Sequence, residues 1–233
     1  MTMDCGSSKR VLPVKMRLTG SQVAVASGIN SSESTIVWQP QETLVATTTK
    51  EKLVQTAHDL FYTEGFHTVG LDRILDTVGV TKTTFYNHFS SKDDLIIEAL
   101  RWHDEWWQGT FRKMLRRLGG DTPRGQLLAV PDALAELFEG DSYNGCMFVN
   151  VAVQFPLAHD PAHKLAVEHK DAMEDILREI AGYAGASDPA ALAEEIGLVM
   201  EGAYVTRQVT RRDATVEAMR RVVTLIVEKH LGA

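Results

Sequence analysis

Cysteine is scarce in this chain, with only Cys5 and Cys146 among 233 residues. Two distant cysteines make no disulfide framework, so stability has to come from a packed core, and a reducing cytoplasm is the expected setting. Long apolar runs are missing as well. No uninterrupted stretch approaches the roughly 20 residues that cross a bilayer, so no membrane partner is expected. Lys15 and Arg17 break up the apolar residues near 11–18 that a secretory signal would need. Positive charge is also in deficit, with a formal net charge of −7. That argues against a protein that coats nucleic acid indiscriminately, because such binding rests on phosphate neutralisation by Lys and Arg.

A local DNA-reading surface survives this test. Residues 46–95 hold five basic and seven acidic residues, but Asp59, Glu64, Asp72 and Asp76 precede the stretch of interest, whereas Lys82 and Lys92 flank it. Placement decides more than the sum. The apolar content of 44% is ample for a real core at this length.

The stretch TKTTFYNHF, Thr81 to Phe89, reads as a helix built to enter DNA. Thr81 is placed to cap it, accepting from an otherwise orphaned first-turn amide. Phe85 and Phe89 share one apolar face, and Lys82, Thr83, Tyr86 and Asn87 occupy the other. Upstream, Leu71, Ile74, Leu75 and Val78 recur at i, i+3, i+4 and i+7, and Gly79 ends that helix. Val80 plugs the corner. Helix, glycine turn, helix is the helix-turn-helix arrangement.

Around this unit the sequence divides into three parts. Residues 1–47 form a flexible arm punctuated by Pro13, Gly20, Gly28 and Pro40. Its Lys9, Arg10, Lys15 and Arg17 either reach DNA or make a solvated tail, and Met16 is an alternative start. Residues 48–95 hold the three-helix DNA-binding domain: 50–64 with the stripe Leu53, Ala57, Leu60 and Phe61, then 71–78 and 82–89, with Phe66 packed beneath the reading helix. Residues 96–233 form a larger helical domain.

A long helix over 91–118 opens that domain, capped by Ser91 and Asp94, and further helices follow over 124–138, 146–155, 161–183, 189–210 and 215–231. The fold class is all-α. Trp102, Trp106 and Trp107 gather with His103 on the long helix, where a pocket lining and a core face share one periodicity, so both readings stand. Apolar stripes Leu192, Ile196, Val199, Met200, Ala203 and Met219, Val222, Val223, Ile226, Val227 make the last two helices too apolar for a surface hairpin. They suit a four-helix interface between two copies.

Residues 50–95 resemble the DNA-binding domain of the TetR family of bacterial transcriptional regulators. The likeness is carried in order by Gly65 and Phe66, LDRIL, GVT, TFYNHF and SKDDL. The resemblance implies a homodimer that binds a palindromic operator and releases it when a small molecule enters the C-terminal domain. Carried over, DNA contacts fall on Lys82, Thr83, Thr84, Tyr86, Asn87, His88 and Lys92, with Tyr86 and Lys92 on phosphates. Base discrimination falls to Lys82, Thr83, Thr84 or Asn87. The chain departs from the family pattern at Val69 and Gly70, since Gly70 starts a helix without the capping hydroxyl often found there.

An effector acts only through its difference in affinity between two shapes, so it must touch something that moves with the long helix. Trp102, His103 and Trp106 are placed for this, with Phe138, Met147, Phe148, Asn150, Gln154, Phe155, Met200 and Tyr204 as further candidates for a small apolar or aromatic effector. No cofactor is expected, nor is enzymatic activity.

The rival reading is a metal-binding or enzymatic helical protein centred on His159, Asp160, His163 and His169. His159 and His163 have a zinc-compatible spacing only within one helix, and Pro161 starts the helix after His159. A catalytic Cys146 has no local motif for an oxyanion hole or an orienting acid, and beside Met147 and Phe148 it reads as a small buried hydrophobe.

Overall fold

The structure, a computed structural model, describes residues 48–140 and 143–232, all within one compact unit. The basic positions of the arm and Cys5 lie outside the described residues. Ten helices, and no strand, occur among the described residues.

The first three helices are α1 (Thr49–Glu64), α2 (Leu71–Val78) and α3 (Lys82–Tyr86). Thr48 caps α1 in a reciprocal box with Glu51, worth about 1 kcal/mol for a cap of this kind. Gly70 starts α2 with no side-chain cap, as its lack of a hydroxyl dictates. The reading helix stops at Tyr86 rather than Phe89: Asn87 and His88 leave the helix as a turn in which the His88 N–H bonds Phe85 O at 2.8 Å. Phe66 also reaches beyond the reading unit. Its ring packs 5.2 Å from Phe61 and 5.7 Å from Phe155, so it joins the DNA-binding domain to the larger one.

The long helix α4 (Lys92–Gly119) is capped by Ser91, whose hydroxyl accepts from the Asp94 N–H, and it runs about 42 Å at 1.5 Å per residue. Its first turns pack on α1 and its later turns on the helices that follow. The single helix expected over 124–138 is two, α5 (Pro123–Leu128) and α6 (Val130–Phe138). Pro131 causes the break, because it has no N–H to offer the carbonyl four residues back.

Helix α7 (Met147–Gln154) sits against α8 (Pro161–Tyr183), which packs on α4 and α9 (Pro189–Thr210); α10 (Ala214–Leu231) closes on α9 and α6. The stripes expected to face a second copy need correction. Leu192, Ile196, Met200 and Ala203 of α9, and Met219, Val223 and Val227 of α10, are buried within the protomer. Neighbouring helices of the same chain claim them first. A different face is left open: Leu198, Gly202, Val205 and Val209 on α9, and Ala218, Val222 and Leu225 on α10, are exposed. Their spacing of three and four is that of a coiled-coil seam.

Candidate DNA-binding surface and effector cavity

Local chemistry builds the reading unit. Gly79 adopts φ 79°, a left-handed conformation that L side chains resist, and its N–H bonds Leu75 O at 2.8 Å. Thr81 then caps α3, accepting from the Thr84 N–H at 3.2 Å. Phe85 and Phe89 are buried, with rings stacked at 5.5 Å. Burial of a phenylalanine stabilises by roughly 1.5–3 kcal/mol, which fixes which face turns outward.

On that outer face Lys82, Thr83, Tyr86, Asn87 and His88 are exposed, Tyr86 with 57% of its surface free. Lys82 forms an exposed ion pair with Asp72 at 2.9 Å, which raises its pKa. Thr84 is half-buried with its hydroxyl 3.0 Å from that of Thr81, so it contributes less surface. Lys92 departs from its expected role on a phosphate. Its ammonium turns inward to donate to Phe66 O at 2.6 Å, above the Phe61 ring, and desolvation lowers its pKa.

A small cavity of about 30 Å³ lies between α1, α4, α7 and α8. His103, Met147, Phe148 and Tyr204, four of the expected effector residues, line it. Trp107, grouped with His103 on the long helix as a candidate pocket lining, lines it too, whereas sequence reasoning missed Tyr62, Leu137, Gly145, Cys146 and His169 there. The residues come from six helices and a loop, and only the aromatic crowding on α4 gave a local signal.

The other candidates stand elsewhere. Trp102 packs edge-on to His58 and lines a groove beside α1. Trp106 packs against His103 and Trp107. Phe138 joins Tyr143 and Tyr204 in a ring cluster, and Met200 faces an outer groove of about 340 Å³ between α8 and α9.

Asn150, Gln154 and Phe155 belong to a polar latch between the two domains. The Phe66 N–H donates to Gln154 Oε1 at 3.0 Å, and the His67 Nε2–H donates to Gln154 O at 2.9 Å. Phe155 packs its ring on His67 and Phe66. At the other end of α7, Tyr62 of α1 donates its hydroxyl to Gly145 O and accepts from the Asn144 N–H, both at 2.9 Å. Asn150 and Gln208 donate to Asn144 O and hold that loop. Burial raises the Tyr62 pKa to about 12, against the lowering effect of the Asn144 N–H, so the phenol stays protonated and able to donate.

Buried imidazoles cross the same region. His58 Nδ1 lies 3.0 Å from Asp59 Oδ1, and its Nε2 lies 2.8 Å from His103 Nδ1. On the far side of the Phe148 ring, His169 stacks at 3.9 Å and directs Nδ1 to Asp104 Oδ1 at 2.6 Å. Burial drives the His103 pKa well down, with help from the neighbouring His58 and His169. His169 is also lowered: burial outweighs the Asp104 hydrogen bond. Burial pushes the Asp104 carboxyl up, yet bonds from His169 and Gln108 outweigh it and hold it below the usual range. A neutral imidazole donating to a carboxylate satisfies both shifts.

The histidine cluster of the rival reading does not assemble. His159 is exposed, His163 donates to Phe155 O at 2.8 Å, and His169 faces Asp104. Among the described residues no group of three side chains is arranged to hold a metal. Cys146 is buried, with Lys170 Nζ 3.4 Å from its sulfur. Lys170 also pairs with Glu201, and desolvation, which lowers its pKa, is outweighed by Cys146 and Glu201.

Comparison with known proteins meets this geometry. Residues 53–99, which run from α1 into α4, match the sequence profile of the family described as "Bacterial regulatory proteins, tetR family". The HTH-type transcriptional regulator YjdC of Escherichia coli strain K12 is 26% identical over 173 residues, 74% of this chain and 90% of that protein. The HTH-type transcriptional activator FasR of Mycolicibacterium smegmatis is 34% identical over 91 residues, 39% of this chain and 41% of FasR. Among solved structures, SCO4454, a TetR-family transcriptional regulator from Streptomyces coelicolor, matches with a TM-score of 0.69 at 27% identity, over 77% of this chain and 94% of its own. Residues 53–99 thus carry the DNA-binding domain of the TetR family, and the likeness over most of the chain to transcriptional regulators supports a DNA-binding regulator.

Proposed function

We propose that this regulator is a homodimeric repressor that leaves a palindromic operator when a small apolar or aromatic effector enters the cavity between α4 and α7. One observation carries the reading: α4 and α7, two of the helices that wall the cavity, also hold the DNA-binding domain. Helix α4 begins three residues after Phe89 and carries His103 and Trp107 to the cavity. Helix α7 brings Met147 and Phe148 to the cavity and Gln154 to the Phe66–His67 turn.

A typical ligand site measures roughly 300–1,000 Å³, at least about ten times this cavity. An effector therefore has to part α4 from α7, which displaces one or both supports of the reading helix. Two copies joined through the open faces of α9 and α10 present two reading helices, and operator binding requires them about 34–36 Å apart. Lys82, Thr83, Asn87 and His88 face the bases and Tyr86 a phosphate, while Lys92 serves the latch.

Activation is the second reading, favoured by the relative named as an activator. In vitro transcription from the gene's own upstream region separates the two. Repression predicts less transcript on adding protein and recovery when the domain is opened; a rise in transcript selects activation.

A further inference from the structure

The hydrogen-bonding polarity of the cavity specifies what enters it. Asp59 and Asp104 are carboxylates, which only accept. Asp104 therefore takes a proton from His169 Nδ1 at 2.6 Å, leaving Nε2 of that neutral ring bare. The same logic runs through one more ring on the other side. His58 Nδ1 meets the Asp59 carboxylate at 3.0 Å; a neutral His58 donates there and accepts at Nε2, which makes His103 Nδ1, 2.8 Å away, the donor. That again leaves a bare Nε2 on His103. Both rings line the cavity, and among the described residues neither Nε2 has a hydrogen-bond partner.

The remaining polar groups do not reverse this. The Tyr62 hydroxyl is committed to Gly145 and Asn144, and Tyr204 can both donate and accept, so it does not discriminate. Among the described residues no carboxylate lines the cavity to receive a cation. Two acceptors also repel an anion.

We infer that the cavity takes an uncharged, hydroxyl-bearing aromatic or alcohol, and that the bare Nε2 atoms of His103 and His169 accept its hydrogen bonds. This rests on the cavity being the effector site proposed above. Each acceptor is held by a carboxylate behind it, so the two rings select a donor over an isostere without one: a site built for a hydroxyl leaves buried acceptors unpaired when the hydroxyl is missing.

The test uses the intact protein with phenol and its methyl ether, anisole. Calorimetry is expected to show phenol bound at least tenfold more tightly, with the preference abolished in His103→Phe and His169→Phe. Similar binding of the two probes, or no binding of phenol, overturns the inference. Because a phenylalanine variant can fail to fold, the wild-type protein with ¹⁵N-labelled histidine supplies a second measurement. Two-bond proton–nitrogen correlations at pH 7.5 are expected to show Nδ1 protonated and Nε2 unprotonated for both residues, and a proton on either Nε2 overturns it. DNA binding is measured on the same samples. If it persists while phenol and anisole behave alike, hydroxyl recognition fails and the regulator stands. If phenol is preferred without any effect on DNA binding, the effector reading fails instead.

Discussion

Lys82 is held by Asp72 across an exposed ion pair at 2.9 Å, and any DNA contact it makes has to compete with that carboxylate. Asp72→Asn is therefore expected to tighten operator binding several-fold, since it frees the ammonium and removes a negative charge from a surface that meets phosphates. Lys82→Ala should weaken binding by about 1–3 kcal/mol if the residue reads a base. Polarisation titrations of both variants check the pair, and tighter binding by Lys82→Ala would contradict the assignment. The buried imidazoles give a prediction about pH. His103 and His169 both bind protons less readily in the folded chain than at the ordinary value of 6.5, so below that pH the unfolded chain takes up more protons. Stability is complete above about pH 6.5 and falls on acidification, by up to about 1.4 kcal/mol per pH unit for each histidine. Thermal melts at pH 7.5 and 5.5 should show the loss, and His169→Gln should show less of it.

Helix α7 has eight residues and no side-chain cap, yet it touches both the cavity and the DNA-binding domain. Gln154→Ala removes the acceptor of the Phe66 N–H. The expected outcome is operator affinity within a few-fold of the parent but a markedly smaller response to effector, because the opening of the cavity no longer reaches the turn. An unchanged response would place the coupling in α4 alone. Gly145 is sensitive for a steric reason: it has φ 87°, and a Cβ there would stand 2.3 Å from the Gln208 side chain. Gly145→Ala should cost about 1–3 kcal/mol, as a strained left-handed residue does, measured by denaturant unfolding. At this scale the sequence was legible where local chemistry acts alone. The bounds of α2, α8 and α9 follow from Gly79, Pro161 and Pro189 with no help from tertiary contacts. Legibility failed where distant partners decide. Lys92 lies on a surface helix start, but Phe66 O, 26 residues away, claims it. His169 looked like part of a histidine cluster until Asp104 and Phe148 reached it from other helices.

At the scale of the whole molecule, the proposed repressor requires a second copy, because one reading helix covers only half of a palindromic site. Apolar side chains on both faces of α9 are needed because one face serves the protomer core and the other is left open; periodicity alone could not tell which was which. Leu198 and Val209 each expose 75% of their surface and Leu225 65%, an apolar patch of the kind that marks an interaction site. Leu198→Glu together with Leu225→Lys should shift the protein from dimer to monomer in sedimentation velocity while leaving the helical content intact. Such a monomer should lose most operator affinity, since one reading helix engages only half a site. The most direct test of the account as a whole is fluorescence-polarisation binding of the intact protein to DNA spanning the region upstream of its own gene, against a scrambled duplex at moderate salt. Saturable binding to the upstream duplex alone, weakened about tenfold by Tyr86→Ala (about 1.4 kcal/mol), is the predicted result. No binding, or equal binding to both duplexes that modest salt abolishes, would contradict it.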